Sequence, residues 1–321
     1  MEIKSNIRLS YEAYTVAVIC AMSFEMSAVR YMFDEEHERL SDKDGDSNIY
    51  AFGRLSGHNT VVGCLPGTQG KGAAAIIATN VHRTFPSIRY WLLVGIEGGV
   101  PNHENDIRLG DVVVSMPNGQ YGGVVQYDLG KETRGGFERK GFLASPPAIL
   151  RSSVEKMRSD HMLMDNKVNE FVSVMIEQGG RLANYRRPSR QLDVLFKPVD
   201  ANHPSQATCR NCNKGEVISR RPRKSTAPEI HYGLVASGDR VIKSAAKRGA
   251  ISRGFGGILC FEMEAAGLMT HFPALVVRGI SDYSDSHKGY VWQQYAAATA
   301  AAVTTELLSY LDPRKPCACK L

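Results

Sequence analysis

Two acidic segments near the C-terminus hold residue types that chemistry uses: Phe261-Glu262-Met263-Glu264-Ala265-Ala266-Gly267 and Arg278-Gly279-Ile280-Ser281-Asp282-Tyr283-Ser284-Asp285. Each follows an apolar, strand-like run, residues 257–260 and 274–277, with a helical stretch at 265–271 and Pro273 between them. Strands joined by such a helix lie parallel in an α/β sheet, and ligands bind beyond the strands' carboxyl ends. Glu264 and Asp282 are therefore expected to face one crevice. Carboxylates are depleted in apolar surroundings unless paired or working, so two at strand ends form a candidate site. The plainer reading, a helix-capping Asp282 and a solvated Glu264, stays open on pattern alone.

The elements that would position these groups can be read along the chain. Residues 14–20, with Val16, Val18 and Ile19, predict a buried strand. Met26, Val29, Met32 and Phe33 recur at helical spacing over 24–33 and put Glu25 in a helix's first turn, where an acid also complements the dipole. Residues 48–55 and 60–65 flank Ser56-Gly57-His58-Asn59, a hairpin signal. Gly67-Thr68-Gln69-Gly70-Lys71-Gly72 opens an alanine-rich helix over 73–85, and its spacing fits neither the Walker nor the dinucleotide fingerprint. A strand at 89–94 runs into Gly95-Ile96-Glu97-Gly98-Gly99, whose glycines would leave room for a ligand against main-chain amides. Further strands are expected at 110–115, 123–127 and 230–236, and helices at 148–157, 166–176 and 291–311. Between 179 and 228 no periodicity persists, which predicts a long irregular excursion.

A chain of 321 residues with 43% hydrophobic content can build one large α/β domain or two small ones. No apolar run reaches membrane-spanning length and Met1 to Asn6 carry no signal pattern, so the cytosol is the expected location. Seven cysteines do not form a secreted disulfide framework. Cys209-Arg210-Asn211-Cys212, with His203 before it, supplies at most part of a zinc site, and a loop with two thiols is the plainer reading. The net charge of +6 is concentrated between 131 and 228 and peaks at 181–224. Such a stretch could attract nucleic acid or substrate phosphates, but it has few aromatics for stacking bases, and a solvated loop is the plainer reading.

The blocks Ile19-Cys20-Ala21-Met22-Ser23-Phe24-Glu25, Gly95-Ile96-Glu97-Gly98-Gly99, Leu109-Gly110-Asp111-Val112-Val113-Val114-Ser115, Ser237-Gly238-Asp239, Phe261-Glu262-Met263-Glu264 and Ile280-Ser281-Asp282 together resemble the nucleoside phosphorylase superfamily of phosphorylases and nucleosidases. Asp285-Ser286-His287-Lys288 and Ile230-His231-Tyr232-Gly233 are similar to fungal purine nucleosidase-like domains within it. The resemblance implies one α/β domain over residues 1–312, a three-layer αβα arrangement with a central mixed, partly barrel-like sheet. It makes 179–229 an irregular basic insertion and 313–321 a disordered tail. It also implies roles: Asp282 protonates the departing purine with Ser281 orienting it, Glu264 holds the ribose hydroxyls, and Met263 packs on the sugar. Val241 and Ile242 line the base pocket, and Glu25 activates water.

Phosphorylases hold phosphate with arginines and a hydroxyl in the glycine turn. Here the turn beside Gly95 carries Leu93, Ile96 and the acidic Glu97, which points to hydrolysis of adenosine, inosine or guanosine to base and ribose. Glu97 departs from the small residue usual in the family, and its role is left open. The chemistry requires no metal and no organic cofactor. The implied partners are a small purine nucleoside and further copies of the chain, as a dimer or higher homo-oligomer, with no nucleic acid and no membrane. Alternatives are a nucleotide (AMP or ATP) nucleosidase using arginines of 181–224, a phosphate-dependent phosphorylase, and a silent nucleotide-binding or oligomerisation module.

Overall fold

The uncharged run Val16–Cys20 forms strand β1, buried at every position. It lies parallel to both its neighbours, β4 (His58–Cys64) and β5 (Tyr90–Gly99), as expected for a continuously apolar strand covered on both faces. In this computed structural model, residues 7–198 and 214–314 are described. Outward from β4 the sheet continues through β3 (Tyr50–Leu55), its antiparallel hairpin partner, to the two-residue β2 (Glu35–Glu36).

On the other side of β1 the sheet closes on itself. β5 runs parallel to β12 (Leu275–Asp282), β12 antiparallel to β6 (Val112–Ser115), and β6 parallel to β10 (Ile230–Ser237). β10 runs parallel to β11 (Ile258–Glu262), and β11 returns antiparallel to the far end of β5. A five-stranded barrel-like ring results, with β7 (Val124–Gln126) attached to β10. The expected α/β architecture with a mixed, partly barrel-like sheet flanked by helices is thus present. The two site-bearing strands, however, are not parallel neighbours. β11 and β12 are separated by β10 and β6 on one side and by β5 on the other, β11 lying antiparallel and β12 parallel to β5. The helical stretch between them, α6 (Ala265–Met269), is too short to lay the next strand beside the first as a crossover normally does.

Two helix groups flank the sheet. α1 (Ser23–Tyr31) and α4 (Val168–Glu177) pack against α7 (Gln293–Leu308), which also lies on β5 and β12, while α2 (Lys71–Thr84) packs against α6. α3 (Ala148–Asp160) also contacts α7. The alanine run of α7 is buried throughout and lets the helix approach β12 very closely: a Cβ at Gly279 would lie 1.9 Å from the Ala296 carbonyl oxygen. β5 and β12 both extend past the apolar runs that announce them, to Gly99 and Asp282, because the ring gives their polar ends partners. α5 (Ala245–Gly254) and the exposed charged hairpin β8 (Gly130–Thr133) and β9 (Gly136–Arg139) have no apolar periodicity to signal them.

The basic excursion contains 3-10 turns at Gly180–Tyr185, Arg190–Leu192 and Lys214–Glu216 and is pinned where Phe196 bridges to Val217. His203, Cys209, Cys212 and the tail with Cys317 and Cys319 lie outside the described residues. No described helix is long and apolar enough to cross a membrane. Replacing Gly279 by Ala drives a methyl into α7 backbone that cannot turn aside. Gly279→Ala is expected to lower stability by about 1–3 kcal/mol or more, read as an earlier thermal or urea unfolding midpoint.

Candidate active site

One arginine organises the carboxylates. Arg278 stands in the middle of β12, a strand buried at every position, and is itself fully buried. Its Nη2 donates to Glu262 Oε2 at 2.8 Å and to Glu264 Oε2 at 3.2 Å. Glu25 and Glu97 also act on it electrostatically, and these four acids hold its charge more firmly than usual although burial alone opposes that. A guanidinium suits the position because it stays charged and presents several donors in a fixed plane. Glu262 Oε2 accepts two further bonds, from the amides of Glu264 and Ala265, so it fixes the start of α6 as well as the arginine. Arg278 Nη1 and Nε have no hydrogen-bond partner among the described residues.

Glu25 reaches this centre from α1. Its Oε2 accepts from the amides of Ala21 and Met22, both at 2.8 Å, and its Oε1 from the Ile96 amide at 2.8 Å. Burial nevertheless outweighs Arg278 and these amides and raises its pKa. The glycine at position 95 answers to this arrangement: a Cβ there would lie 2.5 Å from both Glu25 Oε1 and Arg278 Nη1. The room expected for a ligand at Gly95 is thus occupied by the protein's own acid and base, and Gly95 itself does not line the cleft. Glu264, at the head of α6, also accepts from the Gly70 amide at 3.2 Å, so the 67–72 glycine loop contacts a carboxylate of the chain. Burial, with Glu262 and Glu25 nearby, raises Glu264 to about 7 against the pull of Arg278. Burial likewise pushes the Glu97 carboxyl well up, with Glu264 and Glu262 adding to it and Arg278 and Lys288 opposing.

Asp282 ends β12 and is buried. Its Oδ1 accepts from the Ser284 amide at 2.8 Å, and its Oδ2 from Lys288 Nζ at 2.7 Å and Ser281 Oγ at 3.3 Å. It caps no helix. The turn that follows is strained: Ser284 has φ +50°, a left-handed conformation costing a non-glycine residue on the order of 1–3 kcal/mol. Gly98 is what lets this turn come close, since a Cβ there would stand 2.1 Å from Ser284 Oγ and 2.6 Å from Asp282 Oδ1.

These groups border a cleft of about 270 Å³. Glu25, Ile96, Glu97, Val241, Ile242, Met263, Glu264 and Ser281 all line it, as their sequence positions suggested. Asp282 does not face the cleft directly; Ser281, Ser284 and Lys288, each bonded to it, do. Sequence reasoning gave no role to Arg278, Glu262, Lys288 or Arg240. A single arginine in an otherwise apolar strand was the available signal for the first, since unpaired charges are excluded from such places. Lys288 is drawn both ways, burial lowering its pKa and Asp282 more than restoring it. Arg240 is exposed at the cleft, and no carboxylate pairs with it among the described residues.

The arginines of the insertion have other work. Arg223 binds both oxygens of the buried Asp111, which also accepts from His231, and Arg220 pairs with Asp193. None of the described insertion residues lines the cleft. Among the described residues no group of His, Cys, Asp and Glu is arranged to hold a metal ion. Chemically, the cleft offers carboxyls that take up and release protons nearer neutrality than usual, beside a guanidinium with free donors and a carboxylate bonded to an ammonium.

Comparison with known proteins gives the family and the fold. Residues 15–309 match the family model described as "Phosphorylase superfamily". A nucleotide-binding leucine-rich repeat (NLR)-like protein of Hyaloscypha variabilis is 42% identical over 95% of this chain and 30% of its own length. ATP nucleosidase Cap17 of Escherichia coli is 26% identical over 49% of this chain and 34% of its own length. The chain thus spans about a third of these curated relatives. Among solved structures, the 5′-methylthioadenosine/S-adenosylhomocysteine nucleosidase of Neisseria meningitidis, in complex with methylthio-immucillin-A, shares the fold with a TM-score of 0.60 at 19% identity, over 92% of this chain and 99% of that one.

Removing the central guanidinium should expose how much the carboxylates rely on it. Arg278→Met is expected to cost about 3–5 kcal/mol near neutral pH. Glu25, Glu97 and Glu264 already have raised pKa values, so without the cation the fold tolerates them protonated and not ionised. The loss should therefore shrink in acid and grow as pH rises, measured by urea unfolding of both proteins at pH 5 and pH 8.

Proposed function

We propose that this chain, which belongs to the phosphorylase superfamily, hydrolyses the N-glycosidic bond of purine ribonucleosides such as adenosine, inosine or guanosine, giving free base and ribose. The observation that carries this reading is Glu25 at the cleft, a buried carboxyl with a raised pKa that the Ala21, Met22 and Ile96 amides hold in place. A water against that carboxylate is both oriented and deprotonated as it attacks.

In the proposed reaction the C1′–N9 bond breaks through an oxocarbenium-like ribose. Glu264 accepts hydrogen bonds from the sugar hydroxyls, and its carboxylate, with Glu25, opposes the developing positive charge. Asp282, oriented by Ser281 and the Ser284 amide, delivers a proton to purine N7, so the base leaves neutral. Water entering the cleft after the base departs returns the proton to Asp282, and Lys288, bonded to it and lining the cleft, links the buried carboxyl to that water. Water loses one proton to Glu25 and its oxygen joins C1′. Met263 packs on the sugar, and Val241 and Ile242 flank the base. Phosphate is a poor alternative nucleophile here. The acids Glu25, Glu97, Glu262 and Glu264 surround one buried arginine, and Leu93 and Ile96 supply no side-chain donor.

A second reading keeps the chemistry and extends the substrate to nucleotides. Exposed and without a carboxylate partner at the cleft, Arg240 is favourably placed for a 5′-phosphate, and one relative is named an ATP nucleosidase. The insertion arginines that sequence suggested for this task include two already held in ion pairs.

Turnover of adenosine, inosine, guanosine, AMP and ATP, with and without inorganic phosphate, separates these readings. Ribose or its 5′-phosphorylated form should accumulate without any need for phosphate; obligatory formation of ribose 1-phosphate would refute hydrolysis. Glu25→Gln, Glu264→Gln and Asp282→Asn should each lower kcat by about 10²–10⁴-fold. Because Glu25 and Glu264 must be ionised and Asp282 protonated, kcat/KM should be bell-shaped in pH, with its acid limb well beyond the ordinary glutamate range, Glu264 lying at about 7. Under the nucleotide reading, Arg240→Ala raises KM for AMP and ATP and leaves adenosine unaffected; equal effects on all three would remove the arginine from phosphate recognition.

A further inference from the structure

Among the described residues the basic insertion meets the site beside Glu25, where Tyr185 donates to the Phe24 carbonyl at 2.8 Å, and more extensively at the turn that follows Asp282. Tyr283, the next residue, is buried, and its hydroxyl donates to Asp193 Oδ1, in the insertion. The same oxygen accepts from Arg220 Nη2 at 2.8 Å, and that guanidinium lies 5.3 Å from the centre of the Tyr283 ring. Arg220 is anchored in turn to the Ile107 carbonyl. Four residues further along the turn, the His287 ring stacks on Phe196 of the insertion at 3.8 Å and 11°. Phe196 is buried and sits where the two arms of the insertion join, Ile218 donating to the Leu195 carbonyl and Lys197 to that of Glu216. Between these two grips lie Ser284, with its left-handed backbone, and Asp285, and immediately after them comes Lys288, whose ammonium bonds Asp282.

A strained turn keeps its shape only if its surroundings over-determine it. Here Arg248 of α5 donates to the Tyr283 carbonyl and lies 3.9 Å from Asp285 Oδ2, and within the turn the His287 ring lies 3.8 Å from Asp285 Oδ1. The insertion adds the grip on the Tyr283 hydroxyl and the stack on the His287 ring. We propose that the insertion is a positioning element for leaving-group protonation: Asp193, Arg220 and Phe196 clamp Tyr283 and His287, and so hold Asp282 and Lys288 in their bonded arrangement. None of the three lines the cleft. The inference rests on the reading of Asp282 as the acid.

The test compares two substrates of the full chain: the purine nucleoside it cleaves best, and p-nitrophenyl β-D-riboside, whose leaving group departs as a stable anion without a proton. Phe196→Ala removes the stack and Tyr283→Phe deletes one hydroxyl, so the second keeps the question answerable if the first fails to fold. Each is expected to lower kcat on the purine nucleoside about tenfold or more, with KM nearly unchanged, because a misplaced acid forfeits part of its usual contribution. Turnover of the nitrophenyl riboside should stay within about twofold on the same argument, and Phe196→Tyr, which keeps the stack, should restore the purine reaction. Equal losses on both substrates, or no loss on the purine nucleoside, would overturn the proposal. Asp282→Asn run alongside separates the causes: if it cripples only the purine reaction while the clamp variants do not, the clamp is wrong and the acid stands. If it leaves the purine reaction intact, the acid assignment falls and takes the clamp with it.

Discussion

The buried Arg278 is the constraint around which the rest of the site is built. A guanidinium taken out of water is costly unless anions and acceptors replace its hydration, and here the replacements come from four different elements: Glu25 from α1, Glu97 from β5, and Glu262 and Glu264 from the end of β11 and the head of α6. Ring closure makes that possible. β5 joins both β12 and β11, so residues far apart in sequence are delivered to one point.

The converse constraint is equally strong. Several acids share one cation, so they cannot all be comfortably ionised, and burial raises Glu25, Glu97 and Glu264 together. Carboxyls whose pKa values are raised suit general base work and the stabilisation of a cationic sugar. The same surplus of negative charge disfavours a phosphate nucleophile. Stability and proposed chemistry are thus linked through one interaction, and the glycines at 95 and 98 serve both by clearing space for Glu25, Arg278 and Asp282.

Much of the fold was legible because its strands are apolar runs punctuated by glycine, and its longer helices carry apolar residues at helical spacing. β1, the β3–β4 hairpin, α1, α2, α3, α4 and α7 fall close to where pattern puts them. What pattern missed has a common cause. β8, β9 and α5 are polar and bury little, so no periodicity marks them. The polar ends of β5 and β12 read as loops because their partners come from remote strands. The expected parallel pairing of β11 and β12 failed for a related reason, since strand order is a long-range property that local spacing does not encode.

The candidate site divides along the same line. Residue types and their order along the chain were enough to single out Glu25, Glu264 and Asp282 as candidates and to imply the family, because those residues sit in short motifs whose chemistry is intrinsic to the residues. Sequence alone could not decide that Asp282 lies behind Lys288, that Gly95 makes room for Glu25 and Arg278, or that Arg220 and Phe196 grip the turn after Asp282. Those facts depend on distances between segments separated by tens to hundreds of residues. Only the closed ring of strands and the packing of α7 and the insertion upon it bring such segments within bonding range.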